Sequence, residues 1–204
     1  MREEVFELVK GLDLKDIETQ LAMQCAPVIM GLKISNLLII PNENTDKVRK
    51  ILEGSNLLSR ILFVQKEKTI LLVYREDCLI KYLSQNKIKE LLWQLGYREF
   101  ELEKLLSVFS ERYIRYCRYG GNFPHEMGVL LGYPIEDVIG FMENEGKNFL
   151  YTGYWKVYAN IGEKIHLFQE FESAKETLIQ LVAMGVSIME VIQKEGKERY
   201  QKKQ

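Results

Sequence analysis

His125 and Glu126 are the pair of residues in this sequence best suited to chemistry. They stand in Phe123-Pro124-His125-Glu126, behind Gly120-Gly121, where an apolar run with Met127, Leu130 and Leu131 starts a helix. In a first helical turn the macrodipole disfavours a charged imidazole, so a neutral ring there can accept a proton or hold a ligand. Glu126 would complement the dipole or orient what His125 binds. The plainer alternative has Glu126 capping the helix and His125 bonded to a loop carbonyl. A lone His–Glu pair is a weak motif. Zinc-protease spacing is excluded, because Met127, Gly128 and Val129 follow Glu126 and the second histidine is His166. No metal site is expected.

Around this pair, residues 123–158 hold Phe123, Tyr133, Phe141, Phe149, Tyr151, Tyr154, Trp155 and Tyr158. Eight aromatics in 36 residues double the 11% average of the chain, enough to wall a pocket for a flat ligand. Tyr133, Tyr154, Trp155 and Lys156 are the candidate ligand contacts. Ordinary core packing accounts for at least half of these rings. From Pro124 to Gly146 the charges are Glu126, Glu136, Asp137, Glu143 and Glu145, with no Lys or Arg. Such a segment attracts a cation or a basic partner, although its usual meaning is a solvated helix face.

Several chemistries fail on residue type. The short helices expected at Met127–Gly132 and Pro134–Glu143 resemble a helix-turn-helix, but the second is acidic and would be repelled by phosphates. No nucleic-acid partner is expected. Gly140 and Gly146-Lys147-Asn148 are misspaced for a phosphate loop, follow a helix and lack the magnesium-binding hydroxyl. No Gly-x-Ser-x-Gly is present. Cys25, Cys78 and Cys117 are odd in number and far apart, against both a disulfide framework and a zinc ribbon. Cys25 at a helix C-terminus should have a raised pKa, whereas Cys117 lies between Arg115 and Arg118.

The elements that must position these residues are readable from periodicity. A short helix covers Val5–Val9. A second starts at Asp13 or Asp16, buries Ile17, Leu21 and Met23, and stops at Pro27. Leu37–Ile40 is a strand without a polar face, and Thr45 or Asp46 caps a helix burying Val48, Ile51 and Leu52 before Gly54. Ile61–Val64 and Ile70–Tyr74 flank Lys66-Glu67-Lys68 as a hairpin whose strands do not alternate, so helices should cover both faces. Helices follow at 76–84, 86–95 and 99–117, the last burying Leu102, Leu105, Leu106, Phe109 and Tyr113. Tyr119-Gly120-Gly121-Asn122 is the one strong break.

Beyond it, Pro134 opens a helix with Ile135, Val138, Ile139 and Met142 inward. Tyr154–Tyr158 reads as a fourth strand. A helix over 162–184 carries Leu167, Phe171, Ala174, Leu178 and Leu181; this stripe could form an oligomer seam, although two heptads suit an intramolecular face better. Ser187-x-x-Glu190 is a capping box for a last helix, and the chain after Gly196 is expected to fray. The expected fold is mixed α/β (α+β): a small three- to four-stranded sheet containing a β-hairpin, covered by helices.

Length and composition agree. At 204 residues the chain could bury roughly 70% of its unfolded surface. A formal charge of −1 and 47% hydrophobic residues exclude a disordered chain and a basic nucleic-acid coat. The first eighteen residues carry nine charges, so no secretory leader and no membrane span is expected, which predicts a cytoplasmic protein. A single domain over 1–204 is expected, with a seam near 119–122.

Cys25-Ala26-Pro27, Phe123-Pro124-His125-Glu126-x-Gly128, Leu131-Gly132-Tyr133-Pro134-x-Glu136-Asp137-Val138 and Gly153-Tyr154-Trp155-Lys156-Val157-Tyr158 resemble an uncharacterised domain-of-unknown-function family of anaerobic, Firmicutes-type bacteria. The resemblance runs over roughly 14–184. It implies one bacterial cytosolic domain and no assigned activity, and its blocks coincide with the His125–Tyr158 segment; the residues point to no particular cofactor. Three functions then compete. The first is a module binding a small-molecule ligand at 123–158, with His125 and Glu126 as polar anchors. The others are an enzyme using His125 as base and a regulatory interaction module without catalysis.

Overall fold

A computed structural model describes residues 2–201, with side chains described as far as Gly196. The architecture is α+β, a small antiparallel sheet with a hairpin under helices, as expected. The elements gather into two compact units, Met1–Glu76 with Gln169–Gln204 and Asp77–Phe168. The Gly120-Gly121 break falls inside the second.

The first unit contains α1 (Glu3–Gly11), α2 (Ile17–Ile29), β1 (Ser35–Pro41), α3 (Thr45–Leu52), β2 (Leu57–Val64) and β3 (Lys68–Arg75). It also takes the later turns of α9 (Ile161–Ala183) and all of α10 (Ile188–Gln201). Asp16 caps α2 by accepting from the Thr19 amide at 3.0 Å. Pro27 does not stop that helix, which runs on to Ile29. A proline in the last turn forfeits only one backbone bond, and Pro27 is buried in the core beside Ala26 and Val28. Arg75, at the end of β3, closes the helix by donating to the Val28 and Ile29 carbonyls, both at 2.8 Å. A cation there meets the negative end of the dipole.

The sheet order is β1-β3-β2, both pairings antiparallel, with Ile39 opposite Ile70 and Leu58 opposite Tyr74. Full burial of both faces holds for β3, buried at all but Lys68. It does not hold for β2, an edge strand whose Leu58 and Val64 are exposed and whose register slips between Ile61 and Phe63. The free side of β1 is closed by a side chain. Gln24 Oε1 accepts from the Ile39 amide at 2.9 Å and its Nε2 donates to the Ile39 carbonyl at 3.1 Å. These are the bonds another strand would make, so the edge is blunted. Leu21, Ile29, Leu38, Leu71 and Leu178 are among the core residues beneath. The Ser187–Glu190 capping box forms as expected, and α10 continues through Gly196.

The second unit holds most of α4 (Glu76–Leu83), then α5 (Asn86–Gln94), α6 (Leu102–Tyr119), α7 (Glu126–Leu130) and α8 (Ile135–Glu143). A two-stranded hairpin follows, β4 (Tyr151–Thr152) with β5 (Lys156–Val157), then the first turns of α9. The five expected residues of α6 are buried. Tyr154–Tyr158 is not a fourth strand of the main sheet: only Lys156 and Val157 are extended, and they pair locally with β4. The buried residues of α8 are Asp137, Val138 and Gly140; of the expected stripe Ile135, Val138, Ile139 and Met142, Val138 is buried and the other three are half-buried. In α9, Phe168 is buried in place of Leu167, while Phe171, Ala174 and Leu178 are buried as expected. Among the described residues, no helix is long and apolar enough to cross a membrane.

Candidate functional site

Glu126 is the first residue of α7 and 3% exposed. Its Oε1 accepts from Tyr97 Oη and from Arg112 Nη1, both at 3.0 Å. Arg112, on α6, also donates to the Leu95 carbonyl at 2.8 Å and lies 4.5 Å over the Tyr97 ring. Burial, and secondarily the neighbouring carboxylate, hold the Tyr97 phenol above its ordinary pKa, so it donates throughout the physiological range. The carboxylate thereby fastens the start of α7 to α6 and to the loop before it. Its bonds run to Tyr97 and Arg112, not to His125.

Asp137 is the second hub. It is 2% exposed, although the sequence reads it as part of a solvated acidic face. Its Oδ2 accepts from Trp155 Nε1 at 2.8 Å, and its Oδ1 from the Tyr158 and Ala159 amides at 2.7 and 3.2 Å. Three donors satisfy a buried carboxylate and pin the residues on either side of β5 to the first turn of α8. Trp155 stacks on Tyr133 at 4.7 Å between centroids and meets Phe168 edge-on at 4.6 Å. Tyr154 lies 5.6 Å from the same Phe168 ring. Tyr133 is anchored through its carbonyl by Tyr82 Oη at 2.7 Å, and burial pushes its phenol up to about 12. Glu136 turns instead to Lys164 at 2.9 Å; burial opposes its ionisation, but that ammonium brings its pKa below the ordinary carboxylate value.

The remaining candidates meet around Phe141. The His125 ring, at the cap of α7, lies 5.7 Å from Phe141 and 6.1 Å from Phe123. Its Nδ1 is buried and has no hydrogen-bond partner. Lys156 Nζ donates to the Gly146 carbonyl at 2.7 Å and stands 4.9 Å over Phe149 and 5.8 Å over Phe141. Tyr158 Oη is likewise buried without a partner. Its ring lies against Gly140, where a Cβ would come within 2.5 Å of Cγ. The structure thus brings His125 and Lys156 to one phenylalanine, sets Tyr154 and Trp155 against Phe168 with Tyr133 stacked on Trp155, and directs Glu126 elsewhere.

A family model described as a protein of unknown function, DUF3793, matches residues 21–192. The chain belongs to the DUF3793 family. The matched span contains both hubs and the Phe141 cluster, so in this DUF3793 chain the whole arrangement falls within the family's domain. No curated protein and no solved structure matches the chain.

Sequence reasoning missed Tyr97 and Arg112, and counted Phe141 among the aromatics of 123–158 without making it a ligand contact. Tyr97 and Arg112 bond to Glu126 across 29 and 14 positions, beyond any helical spacing. Asp137 gave no local signal either, since its donors stand 18 to 22 positions later. Among the cysteines, Cys25 is fully buried and burial pushes its thiol up to about 12, while Cys117 is half-buried. The sequence predicts a raised thiol pKa from the helix dipole; the direction holds, and its cause is desolvation.

Proposed function

We propose that the second unit binds a small ligand on the face formed by His125, Phe141 and Lys156, and that the protein is a ligand-binding module. One observation carries this reading: His125 Nδ1 is buried with nothing to bond. A buried polar atom without a partner costs about 1–3 kcal/mol, and native structures keep few of them. Tyr158 Oη shares that condition beside Gly140, the neighbour of Phe141 in α8. A ligand supplying a donor or acceptor here would remove the penalty.

In this reading His125 is the polar anchor and Lys156 the second contact. Tyr133, Tyr154 and Trp155 form the framework behind them, since Trp155 is only 7% exposed. Glu126 holds α7 in place through Arg112. The enzymatic alternative asks His125 to work as a base without Glu126 to orient it. The interaction-module alternative, which draws on the acidic face and the 162–184 helix, loses Asp137 from that face, because Asp137 is buried. Three free thiols suit a reducing compartment, consistent with a bacterial cytoplasm.

The test is native mass spectrometry of protein purified from its own cells, with melting-temperature shifts across a metabolite panel. A bound species, or a shift that disappears in His125→Phe, is the expected result. No bound species and no shift from any compound would defeat the proposal.

A further inference from the structure

Lys156 is a half-buried cation of the second unit held by a carbonyl rather than a carboxylate; Arg98, bonded to the Trp93 and Tyr97 carbonyls at 2.9 and 3.0 Å, is exposed. Arg112 faces Glu126 at 3.0 Å, and Lys164 faces Glu136 at 2.9 Å. Lys156 faces no carboxylate: among the described residues its polar contact is the Gly146 carbonyl. Glu143 and Glu145, the acids nearest in sequence to Gly146, are exposed, and Glu145 pairs with Lys147 at 3.5 Å. An ammonium has three donors, so two remain on Lys156 Nζ. The group is half-buried between two rings, where water screens charge less and a counter-ion binds more strongly than on an open surface.

We infer that this site takes a small organic anion, a carboxylate or phosphate attached to a flat ring. The acid group meets Lys156 Nζ, and the ring lies along Phe141 and Phe149 towards His125. The inference rests on the ligand-binding reading above and adds the charge and shape of the ligand. Phe149 is 42% exposed and so presents a ring to an incoming molecule. The cation itself separates an acid from its neutral isostere. A hydrogen bond to a charged group exceeds a neutral one by enough to give about a tenfold preference.

The experiment titrates isotope-labelled wild-type protein with benzoate, phenyl phosphate and benzamide, following the Gly146 and Val157 amides and the His125 ring by NMR. Benzoate or phenyl phosphate should shift these signals at about tenfold lower concentration than benzamide, and the stronger of the two identifies the acid. Lys156→Gln can still donate to the Gly146 carbonyl and should bring all three probes to equal affinity. Equal binding of benzamide and both anions to the wild type overturns the anion while leaving a ligand site in place. No shift at these positions with any probe overturns the inference, and the metabolite panel then decides the broader reading alone. If Lys156→Gln loses its folded spectrum, the wild-type comparison of acid against amide still decides.

Discussion

Arg112 and Glu126 meet at 3.0 Å inside the second unit, and Tyr97 Oη closes on the same carboxylate oxygen. The Glu126 side chain is almost wholly buried, whereas Arg112 keeps a third of its surface in water. Removing the acid strands a cation that can partly rehydrate, so Glu126→Gln should cost about 2 kcal/mol, below the usual range for a fully buried pair. Tyr97→Phe removes one neutral donor to that carboxylate and should cost about 1.5 kcal/mol. Urea unfolding of both variants checks the order. A Glu126→Gln protein as stable as the wild type would show that the contact contributes nothing.

Asp137 gives a spectroscopic prediction. Trp155 is buried against it and Trp93 is 53% exposed, so Trp93→Phe isolates the buried indole. Asp137→Asn keeps one acceptor oxygen, so its NH2 must face either the indole N–H or the two amides, donor against donor. The expected cost is about 2 kcal/mol, with a red shift of Trp155 emission as the residues flanking β5 loosen. Unchanged emission would mean that the indole is held by its stacking on Tyr133 alone.

Two glycines are required by contact rather than by backbone angle. A Cβ at Gly153 would stand 2.4 Å from the Phe168 ring, and one at Gly140 2.5 Å from Tyr158 Cγ. Both meet the stiff inner part of an aromatic side chain. Gly140→Ala and Gly153→Ala should therefore each destabilise by about 2 kcal/mol. Gly162, in the first turn of α9, has nothing within 4 Å, and Gly162→Ala should stabilise by up to about 1 kcal/mol. Melting temperatures of the three variants should move in these opposite directions.

Elements that satisfy their own backbone and bury one stripe were legible in the sequence. The hairpin, α5, α6 and the capping box of α10 each depend on neighbours within a few positions. What was not legible depends on distant partners. Asp137 looks like any acid at a helix start until Trp155 and the Tyr158 amide arrive 18 and 21 positions later. Glu126 looks like the partner of His125 because they adjoin, yet Arg112 outcompetes it from another helix. Pro27 reads as a stop, but apolar burial on both sides of it outweighs one lost backbone bond. The aromatic richness of 123–158 was visible, whereas its division into a framework around Phe168 and a face around Phe141 required the fold.

Lys33, in the first unit, supplies a pH dependence. It is 7% exposed and donates to Asn36 Oδ1 at 2.6 Å. Burial lowers its pKa from 10.5 to about 8. Between those values the unfolded chain holds a proton that the folded chain has released, so stability rises as pH climbs from 8 towards 10. Below pH 8 both states are protonated, and the buried charge opposes folding by about 3 kcal/mol. Lys33→Met removes that cost but leaves Asn36 Oδ1 without this donor, an offset of about 1 kcal/mol. The variant should therefore exceed the wild type by about 2 kcal/mol at pH 7, and the difference should shrink through pH 9 to 10. Urea midpoints of the two proteins at pH 7, 8, 9 and 10 test this, since other titrating groups cancel in the difference. Parallel curves across that range would show that the Lys33 ammonium is as well solvated folded as unfolded.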